Sequence, residues 1–158
     1  MAAASSTASG VSRSAPAAST SVGTVIRPRS ATRVPLTVRT LCSAGARAAA
    51  QHSQTLYGMT ASIPGLKTVC PSNPFDAKGL LLASIRDDNP VVFCEPKSLV
   101  FKKAPVPEED YEIPLGEAAV VREGSDVTLV GMGATVPVAL DAAEQLTADS
   151  TSAEVVDL

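Results

Sequence analysis

His52, in the stretch AAQHSQT, is the only histidine of this 158-residue chain. An imidazole ordinarily titrates within the physiological range, so a histidine can pass a proton or carry useful charge there. A lone histidine is also commonly structural or solvent-facing, and the residues around it leave both readings open. Ser53 follows directly but lacks the GxSxG setting of a hydrolase nucleophile. Its simplest role is a turn or cap hydroxyl. A second candidate is SIRDDN, Ser84 to Asn89, which combines carboxylates with an expected helix end. Unpaired carbonyls at such an end can bind a hard cation, and a solvated terminus explains the same residues without one. Gly131 and Gly133 in GMGATV match neither the dinucleotide fingerprint nor a P-loop, and read as a tight strand-to-helix turn. Lys78, Lys97, Lys102 and Lys103 are sparse and read as solvated surface.

The elements that must position these groups alternate between strand and helix. Val34 to Thr40 reads VPLTVRT, a short β-capable segment before a flexible LCSAGARAAA passage. LYGMTASI has apolar residues at mixed helical spacing, PG makes a turn, and Leu66 to Cys70 reads as a short strand. Asn73, Pro74 and Asp76 then have the order of a helix start: a cap, a residue with no amide to lose, and a negative charge in the first turn. Ala77 to Ile85 offers a broad apolar face, which Asp87 to Pro90 terminates. Val91 to Cys94 is uninterruptedly apolar, as expected of a parallel strand covered on both faces. Four prolines and the acids Glu108 to Asp110 mark a surface connector, after which Asp126 to Val130, Thr135 to Leu146 and Ala153 to Leu158 read as strand, helix and strand. The last strand has no evident neighbour for its edge, which suggests truncation or a missing partner.

The charge distribution excludes a basic nucleic-acid binder, since the formal net charge is -3. It is also lopsided: no acid occurs from Met1 to Phe75, while all 16 acidic residues lie from Asp76 onward. Residues 1–32 are rich in Ala, Ser and Thr with several arginines, compatible with a mitochondrial transit segment or with a disordered tail. Cys42, Cys70 and Cys94 form neither a CxxC unit nor a disulfide framework, which fits a reducing cytoplasm or mitochondrial matrix. No apolar run reaches the roughly 18 residues of a membrane span.

QHSQTLYGMTASIPGLKTVCPSNPFDAKGLLLASIRDDNPVVFCEPKSLV, Gln51 to Val100, closely resembles the β-subunits of the pyruvate, acetoin and branched-chain 2-oxo acid dehydrogenases, and VPEEDYEIPLGEAAVVREGSDVTLVGMG continues the likeness. The resemblance covers roughly residues 33–158, with several motifs in family order and spacing. It implies an α/β fold: a partial transketolase-like pyrimidine-binding domain at 33–95, a connector at 96–115, and the start of the transketolase C-terminal domain at 116–158. It further implies an α2β2 assembly with an α-subunit and a second β-subunit, thiamine diphosphate and Mg2+ at the subunit interface, and acyl transfer to a lipoyl-bearing acyltransferase. His52, matching the family's HSQ histidine, would contact substrate or intermediate and take part in lipoyl acylation. Ser84, Ile85, Asp87 and Asn89 would match the segment that holds a structural potassium ion, largely through backbone carbonyls.

One departure limits the expectation. The family's β-subunit carries an earlier glutamate that activates the thiamine aminopyrimidine, and here no glutamate precedes Glu95, which belongs to the VVFCE strand. The chain is therefore expected to be a cut-down β-subunit, inactive in isolation. The alternatives are a non-catalytic α-subunit-binding module and an independent small α/β protein.

Overall fold

The computed structural model describes residues 36–45, 47 and 49–158. The expected tail at 1–32 and the first residues of VPLTVRT lie outside them. Two three-stranded sheets follow one another along the chain. In the first, β1 (Thr37–Cys42) and β2 (Lys67–Val69) flank β3 (Val91–Pro96), and both pair with it in parallel. β1 runs two residues past the expected strand because Leu41 and Cys42 keep register with Glu95 and Pro96.

Between β2 and β3 runs the helix α2 (Pro74–Arg86). Its start is locally encoded: the Asn73 side chain accepts from the Asp76 amide at 2.9 Å, Pro74 occupies the first turn, and Asp76 meets the positive helix end. α2 covers one face of the sheet, where Val69, Val91 and Phe93 pack with Leu80, Leu81 and Leu115. Val91 and Phe93 are wholly buried, and each contributes on the order of 2 kcal/mol in removing its side chain from water. The other face carries Cys42, Cys70 and Cys94, covered by Tyr57, Val92 and Met132. Tyr57 belongs to the one-turn helix α1 (Tyr57–Ala61).

The connector is not loose. Lys78, expected to be solvated, donates to the carbonyls of Pro107, Glu108 and Glu109 at 2.6–3.0 Å. Tyr111 stacks on Phe75 at 4.6 Å and donates to its carbonyl. Gly79 admits this strap, since a Cβ there would come within 2.9 Å of both Tyr111 and Ile113.

The second sheet corrects one expectation. The last strand, β6 (Ala153–Asp157), is central rather than exposed at its edge. It pairs in parallel with β5 (Val127–Gly131) and antiparallel with β4 (Ala119–Arg122), so truncation cannot be argued from an unprotected edge there. β4 escaped notice because its four residues lie between a Gly-Glu-Ala and a Glu-Gly run, too short to show a period. α3 (Thr135–Ala148) packs on this sheet through Ala139, Leu140, Ala143 and Leu146. Among the described residues no helix is long and apolar enough to cross a membrane.

Candidate functional site

Ligands of parallel α/β sheets bind beyond the carboxyl ends of the strands, where loops can vary without disturbing the ladder. His52 lies there. After Cys42, at the end of β1, the chain makes a loop that returns on itself when the Ser43 amide donates to the Gln54 carbonyl at 2.9 Å. His52 closes a short 3-10 turn, Ala50–His52, with no buried residue, and is itself exposed. Ser53 serves as a turn hydroxyl, donating to the Ala49 carbonyl at 2.9 Å. The Lys97 ammonium donates to the His52 carbonyl at 2.5 Å and reaches the Ser43 carbonyl at 3.4 Å. The reading of Lys97 as solvated surface is thereby corrected: it is half-buried and paired with backbone.

The other candidates gather at the opposite edge of the sheet. Ser84, near the end of α2, is buried, donates to the Leu80 carbonyl, and accepts from Thr37 at 2.9 Å through its own carbonyl. Ile85 is 54% exposed. Asp87 forms an ion pair with Lys67 and accepts from the Asn89 amide and side chain at 2.7 and 2.9 Å. Lys67 above all, and then the Asn89 amide, hold the Asp87 carboxyl down to about 2. Its carboxylate is thus fully engaged, and any cation in this segment would be left to backbone carbonyls. Because 84–89 precedes β3 and Lys97 follows it, the strand separates these residues from His52 by roughly 20 Å at 3.3 Å per residue.

Sequence reading missed two features. The first is that Cys42, Cys70 and Cys94 form one buried cluster at the strand ends, all as free thiols. Burial pushes Cys70 up to about 12 and Cys94 to about 11. These thiols stay protonated and inert. The second lies where the sheets meet. Gly133, with φ of +53°, brings the loop after β5 so close that a Cβ would stand 2.5 Å from the Cys70 sulfur. GMGATV is therefore a turn, as expected, and also a close approach. Beside it a cavity of about 330 Å³, lined by Val69, Leu115 and Met132 among others, is bordered by Asp76 and Asp157. Ser72 hydrogen-bonds to Asp157 and contacts Asp76 at 3.3 Å. Burial raises the Asp157 carboxyl, the Ser72 contact opposes this, and Asp76 adds to the rise.

Glu95 is committed as well, since Arg39 grips its carboxylate with two bonds of 2.6 and 2.8 Å. Among the described residues no group of three or more His, Cys, Asp or Glu side chains is arranged to hold a metal ion.

Comparison with known proteins gives the site its context. Residues 24–102 match the family described as transketolase, pyrimidine binding domain, and 116–158 match transketolase, C-terminal domain. Over 125 residues, 79% of this chain and 36% of the relative, the sequence is 60% identical to the acetoin:2,6-dichlorophenolindophenol oxidoreductase subunit beta of Bacillus subtilis. It is 47% identical over 133 residues, 84% of this chain and 41% of the relative, to the pyruvate dehydrogenase E1 component subunit beta of Acholeplasma laidlawii. The 2-oxoisovalerate dehydrogenase subunit beta of Bacillus subtilis is 48% identical over 125 residues, 78% of this chain and 38% of that one. The chain thus spans little more than a third of the length of such relatives. Among solved structures, a split gene transketolase described as an inactive beta4 tetramer superposes with a TM-score of 0.63 at 24% identity, covering 77% of this chain and 39% of that one. That likeness concerns the fold.

Proposed function

This chain belongs to the transketolase-type pyrimidine-binding family, in the line of the 2-oxo acid dehydrogenase β-subunits, and we propose that it contributes the β side of a thiamine-dependent acyl-transferring dehydrogenase. The observation that carries the proposal is the exposed His52 on its fastened loop at the carboxyl edge of the first sheet. There an imidazole can meet a substrate carried on a partner subunit and pass a proton as a dithiolane opens. The partners in this reading are an α-subunit, a second β-subunit and a lipoyl-bearing acyltransferase. Identity of 60% to the acetoin enzyme against 48% to the 2-oxoisovalerate enzyme over equal lengths favours acetoin chemistry.

Thiamine diphosphate and Mg2+ would belong to that α/β assembly. Among the described residues Glu95 does not fit the part of the site that activates the aminopyrimidine, because its carboxylate is held by Arg39. No step is therefore routed through the cofactor here. The second reading is a non-catalytic module that binds an α-subunit, which the exposed Leu36, Val38 and Leu41 on and beside β1 support. A structural potassium ion on the carbonyls of Ser84, Ile85, Asp87 and Asn89 completes the proposal; oxygen-only ligation suits a hard cation.

The test is dye reduction with acetoin, pyruvate and 2-oxoisovalerate by the chain combined with an α-type subunit, thiamine diphosphate and Mg2+. His52→Ala should lower turnover at least about 100-fold, the lower range of a lost general acid or base. Wild-type turnover in the variant would remove the catalytic role. Association without turnover in either protein would establish the binding module instead.

A further inference from the structure

We propose that Lys97 is the positioning residue for His52, a proposal that rests on the role just given to that histidine. Apart from the bond from the Ser43 amide to the Gln54 carbonyl at the base of the loop, little fixes the place of His52. Its turn contains no buried residue and no side-chain cap. The bonds from His52 N to the Ala49 carbonyl, from Ser53 N to the Ala50 carbonyl and from the Ser53 hydroxyl to the Ala49 carbonyl all lie within the turn. They maintain its shape and leave its location free. The backbone carries strain besides, with positive φ at Ser43, Arg47 and Ala49. Such conformations persist only when surrounding structure holds them. The buried Ser43 Oγ has no hydrogen-bond partner among the described residues, so it supplies no anchor either.

Beyond the Ser43–Gln54 bond, what holds the loop is the turn that follows β3. The Lys97 amide donates to the Cys42 carbonyl at 3.0 Å, carrying the β1–β3 ladder one residue further, and the Leu99 amide closes the turn on Pro96 at 2.9 Å. From this rigid base the Lys97 ammonium ties the two ends of the loop together at the carbonyls of Ser43 and His52. Gly45 sits against the same turn, where a Cβ would fall 2.6 Å from Ser98 Cβ. A charged donor makes a stronger bond than a neutral one. The backbone that carries the imidazole is therefore held by a residue 45 positions away along the chain.

Because His52 is the only histidine, its ring proton and its carbonyl carbon can be followed individually by NMR in the untagged full chain. In Lys97→Met the His52 carbonyl signal should shift as its bond is lost, and the loop amides of Ser43 and Ser53 should exchange about tenfold faster or more, while those of Val92 and Cys94 in the central strand keep their rates. Lys97→Arg should restore wild-type behaviour. In the assembled enzyme, Lys97→Met should lower kcat about tenfold with little change in KM. Unchanged loop exchange in Lys97→Met, or equal loosening of the central strand, would overturn the assignment. If Lys97→Met does not fold, Lys97→Gln is read by the same criteria. Wild-type turnover of His52→Ala would remove the catalytic role of His52 and leave the NMR result standing, so the two failures are separable.

Discussion

Substituting Asp87 by Asn should destabilise the fold by an amount that its surroundings set. The change removes the ion pair with Lys67 and keeps an oxygen for the Asn89 amide. Asp87 sits at about 2 against an ordinary value of 3.8, and at 1.36 kcal/mol per pH unit that displacement is about 2.4 kcal/mol. The Lys67 side chain is 39% exposed and that of Asp87 15%, so water screens the pair and about 1 to 1.5 kcal/mol is the reasonable loss. For an ordered region of this size, that lowers Tm by about 4 °C or somewhat more. The folded carboxyl titrates below its unfolded counterpart, so its stabilisation is complete above the unfolded value and disappears as pH falls through about 2. Urea unfolding of both proteins at pH 7 and at steps down to pH 2 measures the effect, and 1 M NaCl should narrow the pH 7 gap. Equal midpoints at pH 7, or a gap that persists undiminished at pH 2, would refute the attribution to this pair.

Asp157→Asn should act in the opposite sense. Burial raises the Asp157 carboxyl, so its ionised form costs stability as pH rises through the folded value, and an amide that keeps the Ser72 contact should be the more stable at pH 7 with the advantage fading toward acid pH. Chemical denaturation at pH 4 and pH 7 checks this, and a variant less stable at pH 7 would contradict it. The thiols should resist a disulfide reagent at pH 8, reacting at least about a hundredfold more slowly in the native chain than in guanidinium, because burial holds Cys70 and Cys94 near 12 and 11. Rapid reaction of any one in the native protein would show that the cluster opens.

The helix α2 was legible from Asn73, Pro74 and Asp76 because a cap, a first-turn proline and a first-turn acid act within a few residues of one another. The parallel placement of β3 was legible from its continuous apolar run. His52 and the 84–89 segment were found as motifs, yet their spacing in sequence did not tell that they occupy opposite edges of one sheet. β4 escaped because four residues cannot show a period, and Lys78 and Lys97 were misread as solvated because a lysine's partners here are carbonyls far along the chain.

By itself the sequence determined the order of the elements other than β4, the start of α2, the family, and the presence of one histidine able to do chemistry. Tertiary structure alone decided that Lys97 reaches His52 across 45 residues, that Ser72 meets Asp157 across 85, that three scattered cysteines share one buried cluster, and that β6 lies in the middle of its sheet. The physical reason is range. Capping and helical bonds join residues within about four positions and leave a pattern in sequence. A side chain that reaches across strands depends on register and on the pairing of distant segments, which no local pattern records.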